Sequence, residues 1–433
     1  MLGATVIATA LGLPKTIIES VESNASGEIV IRVRPYARER HRCSVCRATC
    51  PRYDRGFRGP RRWRSLDVGL TRCWIVSDAS RVRCRRHGVM VAAVPWARQG
   101  ATHTKAFEDT IAWLAVRMDK TSITSLMRIG WRTVGTVLER VIASGISPQQ
   151  RLVGLRRIGI DEISYRRGFK YITVVVDHDT GALVWAGPGR GVATLKEFFN
   201  LLGKDGCAAL THVSADGAQW IAKAVTKNAP KAVLCRDPFH VIADATKALD
   251  QVRRQAVAAL KSAQVQAGEP QVHRSHGNGR TSVVTTGEAR DLKKTRWALV
   301  KNPEKLTPRQ EIQLDLIART HPDVYLGYQL KENLRAVYAL SPEDAGEGLD
   351  TWIEHALSSG LPPFIQLALQ ISKAREVILN AITNGLSNGR VEAINTTLRM
   401  ITRRAYGFHS AQAFIALGLL TLGRPKPTLP SRK

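Results

Sequence analysis

The sequence predicts an α/β protein: a core on a mixed five-stranded sheet with helices, interrupted by an all-α insertion and preceded by a zinc-binding module and a helix-turn-helix. Three observations predict it. Between residues 155 and 257 the apolar residues follow strand periodicity, three strands in succession and then strands alternating with helices. From 263 to 384 the pattern is mostly helical. Residues 31–100 carry a cysteine cluster and half of the chain's net positive charge. The expected division is 1–100, 101–150, 151–262, 263–384 and 385–433, the last segment completing the core with a C-terminal helix.

The 433 residues include 64 Lys and Arg against 36 Asp and Glu, a net charge of +28. Residues 31–100 alone hold 18 Arg and 4 acidic residues, a local +14. Such an excess attracts polyanions, and arginine suits bidentate contacts to phosphates and base edges. Seven cysteines, an odd number with most in one cluster, make a poor disulfide framework. The longest apolar run near the C-terminus, Phe414 to Leu422, is about half the length of a membrane span. The apolar stretch from Met1 to Leu13 lacks the basic start of a signal peptide. The chain is therefore expected to be cytoplasmic and nucleoid-associated, with double-stranded DNA as partner and no membrane.

The first element is the metal module. Cys43-Ser44-Val45-Cys46 and Cys84-Arg85-Arg86-His87 have the spacing of zinc knuckles, in which two intervening residues let both side chains face one ion. Zn2+ on Cys43, Cys46, Cys84 and His87 is the expected set, with Cys50 and Cys73 as alternatives for the fourth ligand. Strands at 72–76 and 80–83 lead into the second knuckle. Arg61, Arg62 and Arg64, with Trp63 interleaved, are candidate DNA contacts; Arg52, Arg55 and Arg58 add to the local charge.

The second element is the helix-turn-helix. Thr104 to Met118 is amphipathic, Thr121-Ser122 starts a short helix to Met127, Ile129-Gly130 turns, and Trp131 to Val141 forms another helix. Trp131, Arg132, Thr133 and Thr136 are expected to face DNA, as the second helix of such a pair does in a major groove. An ordinary helical hairpin linking two domains has the same pattern.

The core follows. Ile158, Ile160 and Ile163 mark a first strand, Phe169–Asp177 a second and Ala182–Trp185 a third, with turns at Arg166-Arg167-Gly168 and Asp179-Thr180-Gly181. A helix at 193–202, a strand at 212–215, a strand at 232–235 and a long helix at 241–262 complete this part. That succession is the ribonuclease-H-like pattern. In that fold the first and fourth strands are neighbours, which implies that Asp161 and Asp216 lie side by side. On the last segment, a helical wheel puts Asn388, Glu392, Thr396, Arg399 and Arg403 on one polar stripe opposite Val391, Ile394, Leu398 and Ile401. Asp161, Asp216 and Glu392 are the candidate catalytic and metal-binding carboxylates, and Arg399, Arg403 and Arg404 candidate DNA contacts. Three hard oxygen donors suit Mg2+ or Mn2+. Such ions, two of them on the order of 4 Å apart, stabilise the attacking and leaving oxygens in phosphodiester chemistry.

At these residues the chain resembles the ISL3-family transposases of bacterial insertion sequences, in the DDE superfamily. The matching stretches are Gly159-Ile160-Asp161-Glu162, Ser214-Ala215-Asp216-Gly217, Asp237-Pro238-Phe239-His240-Val241, and Asn388 to Asn395 leading to Arg403-Arg404-Ala405-Tyr406-Gly407-Phe408. The resemblance covers essentially the whole chain. It implies that Asp161, Asp216 and Glu392 form the catalytic triad and that the protein binds the terminal inverted repeats of an insertion sequence, cleaves a strand and transfers it. Concerted cutting of two ends implies a homo-oligomer, at least a dimer. Asn388, Asp237 and His240 are expected near the site, in a structural or a chemical role. The CxxH knuckle departs from the more usual CxxC.

Polar residues 266–290 read as a loop, and Thr307-Pro308 and Ser341-Pro342 as helix starts. The helical stretch would hold element ends or a partner subunit. The alternative function is a sequence-specific DNA-binding protein with an inactive ribonuclease-H-like domain; a resolvase or nuclease acting on DNA shape is a third. No arrangement suits a covalent tyrosine or serine recombinase.

Overall fold

A computed structural model describes residues 2–56, 59–78, 80–145, 147–267, 273–275, 281–283, 287–424 and 426–430. Arg58 and most of the segment read as a 266–290 loop lie outside the described residues. In chain order the elements begin with α1 (Leu2–Ala10), β1 (Thr16–Ser23), β2 (Ile29–Pro35), β3 (Arg52–Asp54), β4 (Arg61–Arg64), β5 (Cys73–Ser77), β6 (Arg81–Cys84) and β7 (Gly88–Val91). Then come α2 (Lys105–Ala115), α3 (Lys120–Met127), α4 (Trp131–Ser144), α5 (Pro148–Arg151), β8 (Arg157–Arg166), β9 (Lys170–Asp177), β10 (Leu183–Pro188) and α6 (Val192–Ala209). β11 (His212–Ala215), α7 (Gln219–Asn228), β12 (Val233–Arg236) and α8 (Pro238–Gln266) follow. A short pair, β13 (His273–Ser275) and β14 (Thr281–Val283), precedes α9 (Gly287–Lys294), α10 (Arg296–Val300), α11 (Pro308–Thr320) and α12 (Pro322–Val337). The chain ends with α13 (Ala345–Ser358), α14 (Pro362–Lys373), α15 (Arg375–Thr383), α16 (Gly389–Arg404) and α17 (Ala411–Leu422).

The chain divides into two compact units: one of residues 1–154, 162–202 and 393–433, the other of residues 155–161 and 203–392. In the first unit, β1, β2, β5 and β4 form a sheet in that order, with β2 and β5 parallel. Its core joins Leu11, Ile31, Val33, Trp63, Ile75 and Trp96. β3, β6 and β7 form a second, three-stranded sheet carrying the cysteine module. α2, α3 and α4 follow as the predicted helices. The cap of α3 is one correction: Asp119, not Thr121 or Ser122, accepts the Ser122 N–H at 2.9 Å, so the helix starts earlier. The turn to α4 runs through Arg128 at φ +53 and Gly130.

In the second unit the helical stretch has its own core. Val241, Leu249, Val324, Leu334, Leu349, Phe364 and Ile371 are packed together with almost no exposure. Removing a ring as buried as Phe364 would cost about 3–5 kcal/mol. α11 begins with the expected Thr307–Gln310 capping box. Ser341-Pro342 makes a turn instead, with α13 starting at Ala345. The β13–β14 pair falls within the stretch read as a loop.

The five-stranded sheet has the order β10-β9-β8-β11-β12. β9 and β10 are antiparallel, while β11 runs parallel to both β8 and β12, so the sheet is mixed as the sequence predicts. The Asp177–Gly181 turn is closed by Asp177, which accepts from Asp179 N–H at 3.0 Å and from Thr180 Oγ at 2.5 Å. α6 breaks at Gly203, at φ +75, which is where the predicted helix ends.

Candidate metal centres and nucleic-acid interface

The Cys43–Cys46 knuckle is a tight loop. Cys43 N–H bonds Ala48 O at 2.8 Å and Arg47 N–H bonds Cys43 O at 3.0 Å, with Arg47 itself at φ +63. The β6–β7 hairpin supplies Cys84 and His87. The ligand atoms of Cys43, Cys46, Cys84 and His87 all lie within 4.8 Å of one another. Cys46 Sγ is 3.7 Å from Cys84 Sγ, and His87 Nδ1 is 3.5 Å from both Cys43 Sγ and Cys84 Sγ. A tetrahedral zinc site with Zn–S near 2.3 Å has sulfur–sulfur edges of about 3.8 Å, so this donor set fits Zn2+. Hydrogen bonds from the Arg86 backbone and from His87 pull the Cys84 thiol down to about 6, toward the thiolate a metal needs. Cys50 packs beside the cluster, its Sγ 3.4 Å from Ala48 O. Cys73 belongs to the Trp63–Trp96 core, where burial pushes its thiol up to about 11.

The expected DNA contacts separate by burial. Arg62 is exposed and stacks over Trp74 at 4.5 Å, while Arg61 lies 5.4 Å over Trp63. Trp63 is 2% exposed and packs edge-on to Trp96; Arg64 is 5% exposed, donates to Ser65 O at 2.9 Å and pairs with Asp67. β4 turns Trp63 into the core, and the Arg64 guanidinium lies 5.5 Å from the Phe107 ring of α2, so neither side chain is open to solvent. On α4, Arg132 and Thr136 are exposed. Trp131 is wedged edge-on to His409 and under Lys120 Nζ at 4.1 Å, and Thr133 is half-buried. Arg399 and Arg403 are exposed on α16, but Arg404 donates to Ala115 O at 3.1 Å and so closes the end of α2.

The sequence reading missed a basic cleft of roughly 1290 Å³ in the first unit. Arg47 from the knuckle, Arg61 from β4, Lys105 at the start of α2, and Arg98 and Arg140 line it, with no acidic side chain. Arg98 and Arg140 are engaged by Glu108, which is 0% exposed, and Arg98 also by Asp109 at 2.5 Å. Burial pushes the Glu108 carboxyl up against the pull of Arg140 and Arg98. That leaves Arg47, Arg61 and Lys105 as the cleft's cations without an ion pair among the described residues. Burial holds Lys105 below its ordinary value, and Arg47 adds to that by repulsion. Like charges crowded this way are relieved by an anion. The signal in the sequence was only the arginine count, since these cations are scattered from position 47 to position 140.

The carboxylates sit in the second unit. β11 pairs with β8 in parallel register, His212 with Arg157, Val213 with Ile158 and Ser214 with Gly159, at one constant offset in sequence. Asp161 and Asp216 stand at that same offset, Asp216 directly after the last residue of β11. Asp216 Oδ1 accepts the Ala218 N–H at 2.9 Å, turning the chain through Gly217 at φ +96. A side chain at 217 would come within 2.9 Å of Arg236 Nε, so the glycine lets a guanidinium lie beside the strand end. Glu392 is in the first turn of α16. All three carboxylates are half-buried.

The wheel reading of α16 is right on its apolar side: Val391, Ile394, Leu398 and Ile401 are at most 5% exposed. Asn388, assigned to the polar stripe, is only 3% exposed because it precedes the helix and bonds inward. Its Oδ1 accepts from Ser214 Oγ, and its N–H donates to Asp237 Oδ1 at 3.0 Å. Asp237 caps α8 by position but not by side chain; its Oδ2 lies 3.8 Å from His240 Nε2. Asn384 was also missed: its Oδ1 lies 2.9 Å from His212 Nε2.

A family model described as transposase, of the ISL3 type, matches residues 158–417, and a model of the helix-turn-helix domain of transposase family ISL3 matches residues 92–142. The transposase for insertion sequence element IS1557 of Mycobacterium tuberculosis is 47% identical over 430 residues, covering 98% of this chain and 96% of that protein. The transposase for insertion sequence element IS1001 of Bordetella parapertussis is 24% identical over 376 residues, 86% of each chain. Among the described residues no helix is long and apolar enough to cross a membrane. A sheet-borne pair of aspartates, a helix-borne glutamate and two basic modules ahead of them thus lie in a chain that belongs to the ISL3 family of transposases.

Proposed function

We propose that this transposase binds the terminal inverted repeats of its insertion sequence, cleaves a strand at the element end and joins the freed 3′-OH to target DNA. The observation that carries this reading is the β8–β11 register, whose offset in sequence is also that between Asp161 and Asp216. It supports a ribonuclease-H-like core in which these two carboxylates and Glu392 hold Mg2+ or Mn2+. Ions held by these residues would supply the positive charge that favours a deprotonated water and a deprotonated 3′-OH as nucleophiles. The chain's own contribution would be three hard oxygen donors from β8, the end of β11 and α16, with Arg236, ion-paired to Asp244, near the strand end that carries Asp216. Zn2+ on the Cys43–His87 cluster would fix the knuckle loop that carries Arg47. The exposed Arg132 and Thr136 read base edges, and Arg62, with Arg47, Arg61 and Lys105 of the cleft, holds backbone phosphates. The helical residues 263–384 act as an insertion that holds element ends or a partner subunit in an assembly of at least two chains.

The test is nicking of a labelled duplex that carries the element's own end, in Mg2+ or in EDTA, by wild type and Asp216→Asn. Metal-dependent cutting at the end, lost in the variant while end binding persists, is the expected result. Tight end binding by the wild type without cutting in Mg2+ or Mn2+ would instead make the chain a DNA-binding protein with an inactive core.

A further inference from the structure

Three asparagines at four-residue spacing stitch the segment before α16 to the strand ends. Asn380 Nδ2 donates to Leu234 O in β12 at 3.2 Å. Asn384 Oδ1 lies 2.9 Å from His212 Nε2, and Asn388 Oδ1 accepts from Ser214 Oγ. His212 and Ser214 are two apart on β11 and so share one face. The contacts therefore climb in step: 384 with 212, then 388 with 214. Asn388 and Glu392 are one helical turn apart and Ser214 and Asp216 two residues apart, so a further step of the same size would bring Glu392 towards Asp216. Those two cannot hydrogen-bond as carboxylates, but they can share a cation.

Asp237 locks the second step. It is 2% exposed, and Ser214 is 0% exposed. Its carboxylate stands at the N-terminus of the 29-residue helix α8, where the helix dipole favours negative charge, yet it leaves its own helix uncapped. It accepts instead the N–H of Asn388, a residue 151 positions on. The Asn388 carbonyl then accepts the Glu392 N–H at 2.8 Å, so the clamp runs directly into the turn that carries the glutamate.

We infer that Asp237, Asn388, Ser214 and Asn384 are positioning residues that set Glu392 in register with Asp216, although the whole helical stretch separates the two in sequence. The inference rests on the reading of Asp161, Asp216 and Glu392 as the metal-holding set. None of the four is placed on the metal; they act by fixing where the third carboxylate sits. Partners of this kind typically alter metal affinity or activity about 10–100-fold.

The experiment measures end nicking by the full-length protein across a Mg2+ titration, with end binding measured alongside. The variants are Asp216→Asn, Ser214→Ala, Asn388→Ala, Asp237→Ala and Asp237→Asn. Ser214→Ala, Asn388→Ala and Asp237→Ala are expected to nick about 10–100-fold more slowly, to need more Mg2+ for half-maximal rate, to recover partly in Mn2+ and to bind ends normally. Asp237→Asn keeps an acceptor for the Asn388 N–H and should stay within a few-fold of wild type. Ser214→Ala combined with Asn388→Ala should be no worse than Asn388→Ala alone. If Asp237→Ala and Asn388→Ala fail to fold, seen as lost end binding, Ser214→Ala and Asp237→Asn decide. Wild-type rate and Mg2+ dependence in Ser214→Ala and Asn388→Ala, with Asp216→Asn inactive, would overturn the inference. So would an Asp237→Asn as inactive as Asp216→Asn, which would make Asp237 a metal ligand. Nicking by Asp216→Asn itself would instead sink the carboxylate reading, and that outcome is read independently of the clamp variants.

Discussion

The two candidate metal sites are built in opposite ways. Cys43, Cys46, Cys84 and His87 come from two four-residue knuckles, the first closed by its own backbone and the second set at the turn of the β6–β7 hairpin. Asp161, Asp216 and Glu392 come from a strand, a strand end and a helix that lie far apart in the sequence. The first kind is a local fold that a thiolate-binding cation would complete; among the described residues its surrounding core is Cys43, Cys50, Val82 and Cys84 with a few flanking side chains. A core that small would depend on an ion bound there. The second kind exists only once the sheet has formed, and its cation is expected to add chemistry, not structure. Metal loss should therefore unfold one site and silence the other.

The sharpest way to break this comparison is at the carboxylates. Asp161→Asn, Asp216→Asn and Glu392→Gln should each lower nicking by about 10³-fold or more while leaving end binding and the melting temperature close to wild type. A variant that also lost DNA binding would mean that the carboxylate site is structural after all. Next in size is Cys46→Ser. It should release bound zinc, measured by metal analysis, and weaken duplex binding by about tenfold or more as the Arg47 loop loosens. Unchanged binding with the zinc gone would separate the module from DNA recognition. A smaller effect tests the cleft. Arg47→Ala and Lys105→Ala should each reduce the salt dependence of duplex binding by about one charge, equally for specific and random sequence, whereas Arg132→Ala should affect the specific duplex alone. Equal salt slopes in variants and wild type would empty the cleft of phosphate.

The smallest expected effect is on acid stability. His103 stacks on Phe107 at 4.9 Å, and burial, with repulsion from Arg140 and Arg64, lowers it from 6.5 to about 4. The folded state therefore binds this proton less readily than the unfolded chain. Its contribution is complete above pH 6.5, declines between 6.5 and 4, and is gone below. His103→Gln should flatten that part of a melting-temperature profile; an unchanged acid limb would show that other groups set it.

The contrast also explains what the sequence made legible. Knuckle spacing is a local signal, so the four cluster residues could be picked out directly, although the choice among His87, Cys50 and Cys73 needed the geometry. The apolar side of α16 followed from helical periodicity. Asp161 and Asp216 could be paired only through the implied topology, since nothing in the spacing of two strands says which neighbours which. Trp63 and Arg64, expected at DNA, are buried: strand alternation hides the first, and the Asp67 ion pair and Ser65 hydrogen bond draw in the second. Asn384 and Asn388 gave no signal as a pair, because their partners lie 172 and 174 residues away. The cleft cations were hidden for the same reason.

The stitching asparagines also carry a chemical liability. Asn384 precedes Gly385 and Asn388 precedes Gly389, and an asparagine followed by glycine is the dipeptide most prone to cyclise and deamidate. Folding shields the two unequally: Asn388 is buried, with its amide oxygen engaged, while Asn384 is exposed. A stored sample should therefore gain aspartate first at 384, seen as a mass increase in the peptide spanning it, and only on transient opening at 388. Deamidation at 388 would put a negative charge beside Asp237. The enzyme would age from its exposed asparagine to its buried one, losing its cutting rate while its grip on DNA stayed young.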